Sequence, residues 1–303
     1  MPTGYDIIYT RYDIRATLAS GQTFAFTEAD GGFSGIAGGR PVEISERGDG
    51  GYEIKSRPGE SGFWRRYFDL GGVYDGLLMN FIDGGAGNDA DEVKATCLDD
   101  IYGADVRCNT GRGFLTRCVN EFRGLRILRQ PVWETVCSFI ISANNHQKRI
   151  ESIYRNTSAQ FGCAVEWGGR RYYAFPSAQS LASLDEFAFR ALGYGYRAPY
   201  ILETARTIAA EGLPDLDAMG YDEAMSYLLK LRGVGEKVAD CILLFSSGHQ
   251  NAFPVDVWIE RALREHYGME GTRRKLKLSA QAMFGGAAGI VQQYLFHGMR
   301  TTN

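Results

Sequence analysis

No apolar run in the 303 residues approaches the roughly 18 needed for a membrane-spanning helix. The longest, Cys241–Phe245, has five. No C-x-x-C pair occurs, so neither a zinc ribbon nor a zinc finger is expected. The six cysteines are Cys97, Cys108, Cys118, Cys137, Cys163 and Cys241. Only Cys241 lies beyond residue 163, which excludes a C-terminal four-cysteine iron–sulfur loop. The four histidines are scattered and form no H-x-x-x-H pair. Close-spaced cysteines and an apolar export signal at the N-terminus are lacking too. Reduced, buried thiols in a reducing compartment are therefore expected, not three disulfides. Nor is there a basic excess: 33 Lys and Arg face 36 Asp and Glu, net −3. Taken alone, that balance argues against a nucleic-acid binder, because phosphate contacts need cations. Internal repeats and low-complexity tracts are absent.

What is present is an ordinary globular composition, 45% hydrophobic, 13% aromatic and 23% charged. At this length two domains are expected. Residues 1–110 are rich in glycine, with short alternating runs at Thr23–Phe26, Phe33–Ile36, Pro41–Ile44 and Tyr52–Lys55. Turn signals such as Asp30-Gly-Gly32 and Gly48-Asp-Gly-Gly51 separate them, the pattern of an antiparallel sheet. A helix is expected near 75–82, then a loop at 83–89. From 111 to 303 the apolar spacing becomes helical. Val132–Ile141, Arg149–Phe161, Leu181–Ala191, Ile201–Ala210, Asp222–Leu231, Glu236–Phe245, Asp256–Tyr267 and Ala288–His297 all carry it. The expected fold class is α+β, an N-terminal antiparallel sheet domain packed on a helical domain.

The most informative stretch is 222–245. One helix ends near Leu231, Gly233-Val-Gly235 makes a tight turn, and a second helix starts at about Glu236. Two glycines allow a sharp turn and close approach to a ligand. The unbonded N–H groups opening the next helix suit an anion such as phosphate. A plain helix–helix connection would look the same. Lys237, however, falls in the first helical turn, where the macrodipole disfavours an ammonium, and a neutral amine is a nucleophile able to form a Schiff base. Nineteen residues on, Asp256 follows Pro254 and opens the helical pattern from Val257. It reads first as an N-cap worth about 1 kcal/mol. A carboxylate fixed there can also face a developing positive charge. An amine and a fixed carboxylate are the minimum for displacing a base from a sugar.

Leu231-Arg-Gly-Val-Gly-Glu-Lys-Val-Ala-Asp-Cys241, followed by Phe253-Pro-Val-Asp256, resembles the helix-hairpin-helix, Gly/Pro-rich, Asp superfamily of DNA glycosylases. Four further blocks are similar to its 8-oxoguanine DNA glycosylase/AP lyase branch. They are Leu18-Ala-Ser-Gly-Gln-Thr-Phe24, Ser138–Asn145, Gly193-Tyr-Gly-Tyr-Arg-Ala198 and Val291-Gln-Gln-Tyr-Leu-Phe296. The blocks run in the family's order over almost the whole chain.

The resemblance implies excision of 8-oxoguanine from duplex DNA, with cytosine opposite, by a monomer acting outside any membrane. Lys237 would attack C1′ and hold the sugar as a Schiff base, and Asp256 would stabilise the charged sugar. Cys241 and Phe296 would sandwich the extruded base, Gln292 would read its Watson–Crick edge, and the Gly21 carbonyl would accept the hydrogen on N7. Asn144, Arg149, Tyr196 and Arg197 would fill the gap and read the estranged cytosine. Backbone groups of Gly233, Gly235 and Val238 would hold phosphate, with a structural cation as a candidate beside them. No cofactor is implied for the chemistry. Without the resemblance, Cys241 and Phe296 fit a helix core equally well, Gln293 is as good a reader as Gln292, and Gly21 is a turn glycine. The chain departs from the family at Trp258, where many members carry His, at Ala25-Phe26, and at His146-Gln147-Lys148. Excision of another damaged base, or a module that binds DNA without cutting it, are the alternatives.

Charge is unevenly spread. Residues 83–105 carry seven acids against Lys94, while 112–130 and 261–277 are each net +4. A locally basic face is therefore compatible with net −3. The expected location is a bacterial-type cytoplasm or, in a eukaryote, the nucleus.

Overall fold

The short alternating runs form a five-stranded antiparallel sheet in a computed structural model, which describes residues 4–29, 31–72, 74, 76–78 and 108–301. Its strands are β1 (Asp6–Thr10), β2 (Phe26–Ala29), β3 (Gly32–Ala37), β4 (Arg40–Glu46) and β5 (Tyr52–Ser56). The spatial order is β1-β5-β4-β3-β2. Register aligns Ile8 with Ile54, Ile54 with Ile44, and Ile44 with Phe33, giving one buried row across four strands. Trp64, Tyr67 and Phe68 belong to the same core cluster. Three expected strands lie where the alternation puts them, whereas Thr23–Phe26 becomes a strand only at Phe26. β1 escapes the alternation test because its exposed face carries the apolar Tyr5, Ile7 and Tyr9, while the inward face has Asp6 and Thr10 beside Ile8.

The helices are α1 (Ile14–Ala19), α2 (Ser61–Tyr67), α3 (Cys108–Glu121), α4 (Val132–Ser142), α5 (Gln147–Phe161), α6 (Ala178–Ala182), α7 (Glu186–Ala191), α8 (Ala198–Glu211), α9 (Tyr221–Leu228), α10 (Glu236–Ser246), α11 (Val257–Tyr267), α12 (Arg273–Phe284) and α13 (Ala288–Thr301). A small hairpin, β6 (Ala164–Trp167) and β7 (Arg170–Tyr173), follows α5. The expected helix 181–191 is two helices. The Asp185 side chain accepts from the Ala188 N–H and starts α7 afresh, a cap overriding the apolar period. Among the described residues, no helix is long and apolar enough to cross a membrane. Most of the helix expected near 75–82, the loop at 83–89 and the acidic stretch 83–105 lie outside the described residues.

Contacts group the residues into two compact units, 1–71 with 126–248, and 72–125 with 249–303. The first unit thus takes the sheet together with α4–α10, where composition alone suggests one boundary at 110. The second holds α3 and α11–α13, with α13 packed on α11 and α3.

In the first unit, Glu134 of α4 lies half-buried beside the sheet. Its carboxylate accepts from the Gly38 N–H (2.9 Å) and the Tyr154 hydroxyl (3.3 Å). Burial outweighs both bonds and pushes its pKa up to about 7. The folded state therefore keeps a proton that the unfolded state releases near 4.5. The stability from this group is full below that value and lost as pH rises to about 7. Glu134→Gln keeps an acceptor for Gly38 and can donate to Tyr154. It is expected to abolish this slope and to be more stable at pH 8, by about 3 kcal/mol at most. Urea unfolding at pH 5 and pH 8 measures both.

Candidate active site

The hairpin forms as its glycines require. α9 and α10 pack on each other, joined through Gly233 at φ +83° and Gly235 as the N-cap of α10. A side chain at Gly233 would be strained by that φ. Its Cβ would also stand 2.8 Å from the Tyr200 side chain. No side chain caps α10, so the N–H groups of its first turn are left to a ligand or to water. The hydroxyl of Tyr221, first residue of α9, donates to buried Asp240 of α10 (2.5 Å) and ties the two helices together. Val238 and Cys241 are buried on α10.

Lys237 lies in the first turn of α10, with Nζ 5.6 Å from the centre of the Phe139 ring. Phe139 stacks on Phe245 (5.4 Å) and meets the edge of Phe24 (6.4 Å). Phe24 belongs to the Ser20–Phe24 motif, so the aromatic cluster brings that motif to the lysine helix. Gly21 sits in the motif at φ +79°, half-buried. No described residue donates a hydrogen bond to its carbonyl.

The Asn144 group assembles around the end of α4. Asn144 is one of two non-glycine residues with positive φ (+50°) among those described, a conformation that asparagine tolerates better than most residues. Tyr196 donates its hydroxyl to the Ala143 carbonyl (3.1 Å), and the Arg197 Nε donates to the same oxygen (2.9 Å). A second Arg197 nitrogen bonds the Asn144 carbonyl at 2.8 Å, and the guanidinium lies 4.3 Å from the Tyr196 ring centre. Arg197 is only 4% exposed, whereas Tyr196 is 51% exposed. Arg197 is thus committed to holding the turn, and Tyr196 is the group offered outward. Arg149 donates to the Gly193 carbonyl (3.1 Å) from an exposed position.

In the second unit, Asp256 caps α11. One carboxylate oxygen, Oδ1, accepts from the N–H groups of Trp258 (3.0 Å) and Ile259 (2.9 Å). Among the described residues Oδ2 accepts no bond, so one oxygen holds the helix and one is available. The segment leading to Asp256 is pinned by α12 and α13. Gln281 donates to the Asn251 carbonyl and Gln292 to that of Pro254 (3.1 Å). With its nitrogen used this way, Gln292 presents Oε1, which is buried without a hydrogen-bond partner. Such an acceptor disfavours every state except one in which a donor reaches it. Phe296 is half-buried, with the Arg300 guanidinium 5.3 Å from its ring centre. His266 stacks on Phe114 of α3 (3.9 Å). Burial, with Arg117 and Arg261 adding to it, lowers its pKa. Arg117 of α3 and Arg261 of α11, one from each basic stretch, thus both act on His266.

The sequence-derived residues thus fall into two groups. Gly21, Asn144, Arg149, Tyr196, Arg197, Gly233, Gly235, Lys237, Val238 and Cys241 belong to the first unit, and Asp256, Gln292 and Phe296 to the second. Phe139 and the carbonyl of Pro254 are additions. Phe139 sits inside a helical stripe that reads as core, and a carbonyl has no side-chain signature.

Comparison with known proteins gives two family matches. Residues 6–136 match the model described as 8-oxoguanine DNA glycosylase, N-terminal domain. Residues 137–284 match that of the HhH-GPD superfamily base excision DNA repair protein. A probable N-glycosylase/DNA lyase of Methanothermobacter thermautotrophicus is 38% identical over 208 residues, 61% of this chain and 67% of that protein. Two further relatives are matched over 45% and 52% of their lengths. Among solved structures, MBOgg1 in complex with a low-affinity DNA ligand superposes with TM-score 0.82 at 29% identity, over 99% of both chains. Clostridium acetobutylicum 8-oxoguanine glycosylase/lyase, bound to double-stranded DNA with cytosine opposite 8-oxoguanine, gives TM-score 0.78 at 31% identity. That match covers 97% of this chain and 93% of the other.

Proposed function

Because the chain belongs to the HhH-GPD superfamily of base excision DNA repair proteins, we propose that it removes 8-oxoguanine from duplex DNA and then cuts the strand at the resulting site. It is a bifunctional glycosylase/lyase. The observation that carries this is Lys237 in the first turn of an uncapped helix, with the N-cap Asp256 nineteen residues on.

The Lys237 amine attacks C1′. The bond from C1′ to the base nitrogen breaks, and the base leaves with that electron pair and takes up a proton. Loss of the amine proton and opening of the C1′–O4′ bond give the Schiff base. Removal of a C2′ proton then expels the 3′ phosphate. The spare oxygen of Asp256 faces the positive charge that develops on the sugar. Cys241 and Phe296 hold the extruded base, and the unpartnered Oε1 of Gln292 accepts from its N1–H or exocyclic amine. The Gly21 carbonyl accepts from N7–H, a hydrogen that guanine lacks. Asn144, Arg149 and Tyr196 face the estranged cytosine, with Arg197 bracing the turn. The amides opening α10, around Gly233, Gly235 and Val238, hold phosphate. The hairpin's donors toward a cation are backbone oxygens, which suit a hard ion. Such an ion would offset phosphate charge, and no bond-making step passes through it. The enzyme works as a monomer, with cellular DNA, in the cytoplasm or nucleus.

Single-turnover assays on duplexes pairing 8-oxoguanine with each of the four bases test this reading. Release of 8-oxoguanine with strand scission, fastest opposite cytosine, is the expected result. Failure to release it from any of the four, with alkylated bases released instead, would overturn the substrate assignment.

A further inference from the structure

The Gly21 carbonyl can tell 8-oxoguanine from guanine only if it is held at a fixed place relative to the lysine helix. We infer that Gln130 is the positioning residue that holds it there. The inference rests on the substrate reading above and concerns a residue that never touches the base.

Gln22, next to Gly21, is fully buried, and every polar atom of its amide is used. Nε2 donates to the Ser20 hydroxyl (2.9 Å) and the Arg126 carbonyl (2.7 Å), and Oε1 accepts from the Leu128 N–H (2.8 Å). Ser20 in turn donates to the Thr17 carbonyl at the end of α1 (2.7 Å). Both neighbours of Gly21 are therefore locked, leaving its peptide plane little freedom. The link to α10 is Gln130, which is 8% exposed. Its Nε2 donates to the Gln22 carbonyl (2.7 Å), and its own backbone N–H donates to the carbonyl of Phe245 near the C-terminal end of α10 (2.9 Å). Nε2 also lies 3.4 Å from that Phe245 oxygen. One side chain thus spans two carbonyls, one on the Gly21 loop and one on the helix that carries Lys237 and Cys241. The Phe24–Phe139–Phe245 cluster makes a second, apolar contact between the same two segments, but rings in van der Waals contact can slide. The amide bridge fixes distance and direction.

A structural amide anywhere in the core would loosen every activity together when removed. Gln130 should instead separate two activities. Excision of 8-oxoguanine needs the Gly21 carbonyl, whereas strand scission at a preformed abasic site needs Lys237 and no base at all. Gln130→Met keeps the volume and removes the donor.

The test compares wild type and Gln130→Met in single-turnover rates on an 8-oxoguanine:cytosine duplex and on the same duplex with an abasic site. Excision is expected to fall about 10- to 100-fold, as for an angstrom-scale misplacement, while abasic-site scission stays within about twofold. Gln130→Asn, one methylene too short to span both carbonyls, is expected to behave alike and serves if the methionine variant does not fold. Unchanged excision, or a parallel fall in both rates, would overturn the role of Gln130. If the wild type itself releases no 8-oxoguanine, the substrate reading has failed instead.

Discussion

Replacing Lys237 by glutamine is expected to abolish borohydride trapping on an 8-oxoguanine duplex and to lower base release by roughly 10⁴-fold or more. Glutamine fits beside Phe139 and keeps a polar end, so folding and duplex binding should survive. What it lacks is a lone pair able to form a bond to carbon. Trapping reads that bond directly, because reduction fixes the amine to the sugar. Undiminished trapping in Lys237→Gln would place the nucleophile elsewhere. Base release without trapping would make water the attacking group. Binding of the damaged duplex, measured by fluorescence anisotropy, should stay within a fewfold of wild type, separating loss of chemistry from loss of contact.

Asp256→Asn should give the second-largest loss, about 10²- to 10³-fold in the rate of base release, the range for removing one preorganised electrostatic group. The N-cap makes this variant informative. Asparagine caps a helix about as well as aspartate, so its Oδ1 can still accept from Trp258 and Ile259. Only the charge on the free side of the group is lost. Asp256→Ala loses the cap as well, and should cost about a further 1 kcal/mol of stability with little additional loss of rate. Calorimetry and single-turnover kinetics on the two variants divide the residue's two tasks. If Asp256→Asn released the base at the wild-type rate, the carboxylate would be a cap and nothing more.

How much of this is legible in the sequence follows from how local each signal is. The hairpin can be read because a glycine turn, a helix start and an N-cap each announce themselves within a few residues. Gly233, Lys237 and Asp256 accordingly stand in the local settings expected of them. The helical part is legible for the same reason, except where a local cap such as Asp185 overrides the apolar period. α12 escapes because it opens on Arg273-Arg274-Lys275 and its apolar residues Leu276, Leu278, Ala280 and Ala282 fall at alternate positions, which is strand-like and not helical spacing. Gln130 has no local signature at all, since its side-chain partners are 108 and 115 residues away. Arg197 looks like a cation meant for DNA, and only the geometry at Ala143 turns it inward. Residues that touch a ligand tend to sit in short motifs, whereas residues that aim them do not.

The wiring of Gln22 also bears on how the protein is made. Its side-chain partners Arg126 and Leu128 follow it by 104 and 106 residues. At ribosomal rates of about 5–20 residues per second, the Gly21 loop waits roughly 5–20 s before those groups have even been synthesised. During that interval the nascent sheet has Ile8, Ile44 and Ile54 to bury and lacks the segment 126–130 that completes the unit. The recognition loop is thus translated well before the groups that give it its final shape. A pause in translation between residues 71 and 126 would prolong its exposure to chaperones and proteases.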